Sequence, residues 1–130
     1  KMRGDSPAIE VGLATDIGGG SSLSMFDTMR AAYEIQRLRG FSLHPANAYY
    51  LATVGSARTL RLDHCIGNIA PGMEADLIAI DLKSTTQIAH RMQNTSTLWD
   101  ALFVQMMMAN DRAVAATYIG GRKVPDAQMN

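Results

Sequence analysis

The run Ile9-Glu10-Val11-Gly12-Leu13-Ala14 ends at Thr15-Asp16 and gives way to Gly18-Gly19-Gly20-Ser21-Ser22. Six mostly apolar residues are too few for a helix, and they suit a strand buried on both faces, as parallel strands are. Three glycines in a row favour neither helix nor strand. A buried strand, a glycine loop and then a helix is the order expected of an α/β fold, where ligands gather at the C-terminal ends of the strands. Thr15-Asp16 stands at that place. A carboxylate there could bind a metal or move a proton, or it could be a turn aspartate bonded to its own backbone. The glycines fail the dinucleotide-binding pattern, because Leu23 stands where a third spaced glycine is needed. The Gly-Lys-Ser/Thr ending of a P-loop is also absent. They read instead as positions where backbone passes close to something or takes a positive φ.

Downstream, a helix is expected from Met25, with Ser24 as its cap and Asp27 suiting the positive end of the helix dipole. Phe26, Met29 and Tyr33 share one face, widened by Met25 and Ala32, while Arg37 and Arg39 fall in the last turn before Gly40. A second helix opens at Pro45, runs through Ala52 and breaks near Gly55, and a third covers 56–60. Residues 75–81 form a strand of branched apolar residues. Residues 83–96 are polar and read as irregular. Thr97 and Asp100 start a further helix that runs to about Ala109 and is apolar nearly all round, so it must be buried on most faces or cover a partner. Residues 113–119 and 122–124 are strands joined by a Gly120-Gly121 hairpin turn. These strands are expected to form a small sheet against helix 97–109. Residues 1–8 read as a loop with a Gly-Asp-Ser-Pro turn.

Composition narrows the function. Twelve basic residues balance twelve acidic ones over 130 positions, so there is no electrostatic case for nucleic acid or an anionic membrane. No apolar run approaches the length that spans a bilayer, and no secretory leader is expected from the start of the sequence. Cys65 is the only cysteine, which excludes an internal disulfide and fits a cytoplasmic location. Nine methionines are many for this length; Met fills irregular cores and adaptable interfaces alike. His44, His64 and His90 are scattered, with no His-x-His pair, and a zinc site needs three or four converging ligands. His44, just before a helix-starting proline, reads as a cap or surface residue.

Gly12-Leu13-Ala14-Thr15-Asp16-Ile17-Gly18-Gly19-Gly20-Ser21-Ser22-Leu23-Ser24-Met25 resembles the signature of the guanine deaminases, zinc enzymes of the amidohydrolase superfamily, at their last barrel strand. The likeness continues through residues 32–40 and 48–53. Residues 66–77 resemble the segment that leads amidohydrolases back into a small β domain. Residues 102–104, 110–114 and 118–122 resemble the end of the same family. One departure is Ala109-Asn110-Asp111-Arg112, where the family usually has Gly-Asp-Asp-Arg.

The resemblance implies the C-terminal piece of a (β/α)8 TIM-barrel enzyme, with residues 1–66 giving the last strand and C-terminal helices, and 67–130 part of a small β-sandwich domain. It implies guanine as substrate, deaminated to xanthine and ammonia in purine catabolism. It also implies a Zn2+ cofactor held by three histidines and an aspartate. Asp16 matches that aspartate, which binds the metal and relays a proton from water. The histidines, and the residues that hold the purine, belong to the part of the family's sequence before this segment. The chain alone is therefore expected to be inactive and without zinc. Another amidohydrolase acting on an aminopurine or a triazine, and a non-catalytic interaction module, are the competing readings. In the barrel that the resemblance implies, strand 9–14 is flanked by two other strands; here both its edges would be open, which predicts a homodimer or higher oligomer.

Overall fold

The computed structural model describes residues 9–125. The turn expected in residues 1–8 lies outside them. The chain builds α1 (Met25–Leu38), α2 (Pro45–Ala52), α3 (Val54–Thr59), β1 (Leu77–Ile80), α4 (Thr86–Met92), α5 (Leu98–Met108), a 3-10 turn (Asp111–Ala113), β2 (Val114–Ile119) and β3 (Arg122–Lys123). The strands form one antiparallel sheet in the order β1-β2-β3. Leu77 faces Tyr118 and Ile78 faces Thr117, with a slip between Ala79 and Ile80. Gly120 and Gly121 both take left-handed φ angles, 54° and 76°. That is the backbone of the two-residue turn that joins Ile119 to its partner Arg122.

α1 buries Phe26 and Met29 against α5. Its C-terminus closes as a Schellman motif: Gly40 at φ 83° donates its N–H to Arg37 and Phe41 donates to Gln36. The N-terminus differs from expectation. Ser24 makes no side-chain cap; the Ser22 hydroxyl donates to the Asp27 carboxylate at 2.6 Å and accepts from the Ser24 backbone at 3.0 Å. Asp27, already taken by Ser22 and by Arg30, serves the turn before the helix. α5 starts as expected: the Thr97 side chain accepts from the Asp100 N–H, and the Asp100 carboxylate accepts from the Thr97 N–H. This reciprocal cap contributes about 1 kcal/mol. These hydrogen bonds, the Thr97 hydroxyl foremost, hold the Asp100 carboxyl below its usual range.

The core gathers Phe26, Met29, Ala48, Met106, Ala109 and Ala113, all buried. Tyr33 meets Phe103 edge-on at 5.3 Å. The position of α5 corrects the expectation of a helix laid against the sheet: it packs on α1, α2 and α4. The sheet reaches the core through Ile80 and Val114. α5 is also less enclosed than its composition suggests, with Leu98 65% and Trp99 47% exposed. Its one buried polar residue, Gln105, donates from Nε2 to the Leu82 carbonyl at 3.3 Å and touches the Met92 sulfur.

Three further expectations are corrected. Residues 83–96 contain α4, capped by the Thr85 hydroxyl and burying Ile88; a helix so short with one core residue leaves no periodic trace. The break between α2 and α3 falls at Thr53, and Gly55 is buried inside α3. A Cβ at Gly55 would meet the Val11 carbonyl at 3.0 Å, so the glycine there admits a neighbouring backbone. Residues 9–14 form no strand, because a strand needs a ladder and none flanks them among the described residues. Leu13 instead donates its N–H to the Leu51 carbonyl at 2.9 Å.

Candidate active-site loop

Loop 15–20 turns on Asp16, a non-glycine residue at the left-handed φ of 51°, a conformation that aspartate tolerates better than most side chains. Its carbonyl accepts the N–H of Gly19 at 3.0 Å and that of Gly20. Each glycine of the triplet has its own reason. Gly18 sits at φ 96° with open space around it. A Cβ on Gly19 would stand 2.7 Å from Asp16 Oδ2, and a Cβ on Gly20 would stand 1.8 Å from the Thr15 carbonyl oxygen. The glycines therefore let the chain fold back over Thr15 and Asp16, as the sequence suggested, and leave the Asp16 carboxylate beside Gly19. The residue is exposed. Among the described residues the carboxylate has no ion-pair partner.

The other candidate ligands do not converge on it. His44 caps α2, its Nδ1 accepting from the Ala46 N–H at 3.2 Å, with its ring edge-on to Trp99 at 5.4 Å. His90 lies in the last turn of α4. The Cys65 thiol donates to the Leu62 carbonyl. Among the described residues no three His, Cys, Asp or Glu side chains could hold a metal ion. The donor chemistry thus fits a zinc site only in part: an accessible hard oxygen that can be one ligand of several, and never a whole coordination shell.

An apolar groove of about 690 Å³ runs between the start of α1, α2 and the sheet, lined by Leu23, Phe26, Tyr49, Ile78, Ile80 and Val114 among others, and Asp16 is not on its wall. Burial beside that groove pushes the Tyr49 phenol up to about 12; its hydroxyl donates to the Leu102 carbonyl at 3.4 Å. Asn110, part of the Ala109-Asn110-Asp111-Arg112 departure, caps the 3-10 turn through its side-chain oxygen and the Arg112 N–H. The altered residues thus close a local turn. Sequence reading missed Ser56, whose hydroxyl lies 2.8 Å from the carbonyls of both Leu13 and Leu51. No local signal marks it, since the Leu13 contact joins residues 43 apart. No helix among the described residues is long and apolar enough to cross a membrane.

Comparison with known proteins gives this geometry its context. The model of the amidohydrolase family matches residues 3–124. Guanine deaminase of Escherichia coli (strain K12) is 41% identical over 116 residues, which cover 89% of this chain and 26% of that protein. The solved structure of E. coli guanine deaminase superposes with a TM-score of 0.88 at 41% identity, over 91% of this chain and 28% of that one. An adenosine deaminase from Xanthomonas campestris, solved with bound zinc, is similar at a TM-score of 0.60 and 28% identity, over 76% of this chain and 21% of that one. The chain spans about a quarter of the length of the E. coli relative.

Proposed function

The chain belongs to the amidohydrolase family, and on that footing we propose that it is the C-terminal part of a cytoplasmic, zinc-dependent guanine deaminase of purine catabolism. The observation that carries the reading is the Asp16 turn: an accessible carboxylate on a glycine-sculpted loop, within a stretch 41% identical to a guanine deaminase. In this reading residues 1–66 complete a (β/α)8 barrel and residues 67–130 contribute to a small β domain. α5 joins the two by packing on α1 and α2.

Zinc, when bound, supplies Lewis acidity that lets a water molecule give up a proton near neutral pH. Among the described residues, Asp16 is the side chain that would ligate it. Asp16 would hold the ion through its carboxylate and would accept the proton that water gives up, for delivery to the departing amino group of guanine. The turn serves both tasks, because its backbone hydrogen bonds fix Asp16 before substrate arrives. The remaining ligands and the groups that grip the purine come from polypeptide outside this chain. The chain by itself is accordingly inactive and binds no catalytic zinc.

The test has two arms. Asp16→Ala in the full-length protein is expected to lower guanine-to-xanthine turnover at least about a hundredfold and to weaken zinc binding. Unchanged turnover overturns the reading. Calorimetric titration of the isolated chain with zinc is expected to show no micromolar site, and a micromolar site there would overturn the reading. Self-association of the protein, as a homodimer or higher oligomer, is part of the same reading, supported by the outer edge of β1 having no partner strand among the described residues. An aminopurine deaminase of different substrate is the second reading, favoured by the likeness to the adenosine deaminase. Assaying guanine beside adenosine separates the two.

A further inference from the structure

The segment that delivers Asp16 is pinned from one side. Leu13 donates its N–H to the Leu51 carbonyl at 2.9 Å. The Ser56 hydroxyl stands 2.8 Å from the Leu13 carbonyl and 2.8 Å from the Leu51 carbonyl. Leu13 thus has both of its backbone polar groups engaged at the junction of α2 and α3, three residues before Asp16. The approach is close: a Cβ on Gly12 would come within 2.6 Å of the Ser56 Cα, and one on Gly55 within 3.0 Å of the Val11 carbonyl. Two glycines, one on each side of the contact, and one hydroxyl between two carbonyls form a seam rather than ordinary side-chain packing. Among the described residues, the backbone hydrogen bonds of loop 15–20 stay within its own turn, and Asp16 itself is exposed. The location of the carboxylate in space is therefore inherited from the seam.

Resting on the assignment of Asp16 as a zinc ligand, we infer that Ser56 is a positioning residue for the metal site, acting through Leu13 on Asp16. It touches neither metal nor substrate. A hydroxyl carries a single proton, so it donates to one carbonyl at a time. Removing it leaves two carbonyls in competition for fewer donors and lets the 11–14 segment slide along α3. Threonine keeps the hydroxyl and so preserves the hold.

The experiment uses the full-length enzyme and four variants, Ser56→Ala, Ser56→Thr, Gly12→Ala and Asp16→Asn, each measured for zinc affinity by competition with a chelating dye, for kcat and KM with guanine, and for thermal unfolding. Loss of an outer-shell partner costs about 10- to 100-fold in metal affinity or activity. Ser56→Ala and Gly12→Ala are expected to lower zinc affinity and kcat by about tenfold with KM unchanged, and Ser56→Thr to restore both. A melting shift in Ser56→Ala without loss of zinc affinity or kcat would mean that the seam is structural only, and overturns the inference. Gly12→Ala keeps the test decisive if Ser56→Ala folds poorly, since it disturbs the same seam from the other side with the hydroxyl intact. Asp16→Asn separates the two levels: if it keeps zinc and turnover, the site assignment fails. If it loses both while Ser56→Ala and Gly12→Ala lose neither, only the role of Ser56 fails.

Discussion

The helical core around Met106 and the loop around Asp16 are held by opposite means. In the core, apolar side chains of α1, α2 and α5 fill space, and Phe26, Met29 and Met106 lose nearly all contact with water. In the loop almost nothing is buried. Its form comes from backbone hydrogen bonds to Asp16 and from side chains that are missing at Gly19 and Gly20. Core energy scales with area removed from water, whereas the loop contributes little to stability and fixes a direction. Damage to the first should therefore show in unfolding, and damage to the second in chemistry.

The comparison breaks most readily at Met106. Met106→Ala is expected to cost about 2–5 kcal/mol in urea unfolding, while the fraction that remains folded keeps its zinc affinity in the full-length protein. Loss of zinc affinity in the folded fraction would show that core and loop are not separable. Next in size is Gly20→Ala, whose added carbon would strike the Thr15 carbonyl oxygen. A displacement of about 1 Å at a reacting group can cost roughly a hundredfold in rate, and that loss in kcat is expected with a stability change of about 1 kcal/mol or less. A large drop in melting temperature with intact kcat would reverse the contrast.

The smallest effect changes with pH only in the alkaline range. Burial raises the Tyr49 phenol from 10.0 to about 12, so the unfolded chain gives up that proton first. The stabilisation is complete below pH 10 and is lost as pH rises through about 12. Denaturant melts between those limits should fall more steeply for the natural sequence than for Tyr49→Phe, and identical curves would place the phenol in water. At neutral pH the substitution removes only the bond to Leu102, which contributes about 1 kcal/mol.

What the sequence made legible was local. The Gly40 stop, the proline start of α2, the Thr97–Asp100 box and the Gly120-Gly121 turn each depend on a few neighbouring residues, and each stands where their chemistry put it. What was hidden depends on distant partners. Residues 9–14 have the composition of a strand, yet a ladder is a property of two segments. α4 escaped because one buried isoleucine, Ile88, leaves no repeat to read. The Ser22 hydroxyl displaced Ser24 as organiser of the first turn because Asp27 was within its reach. Asp16 itself was singled out by position and family likeness, but neither its left-handed backbone nor the serine behind it carries any mark in the order of the residues.

Gln105 carries a further consequence. A helix greasy on nearly every side, like α5, can spin about its own axis with little change in the area it hides, much as a smooth rod turns in a sleeve. The single amide in its middle, latched onto the Leu82 carbonyl, makes one azimuth cheaper than the rest. Exchanging it for leucine would leave a core as oily as before, with one key fewer to say which way the rod should face.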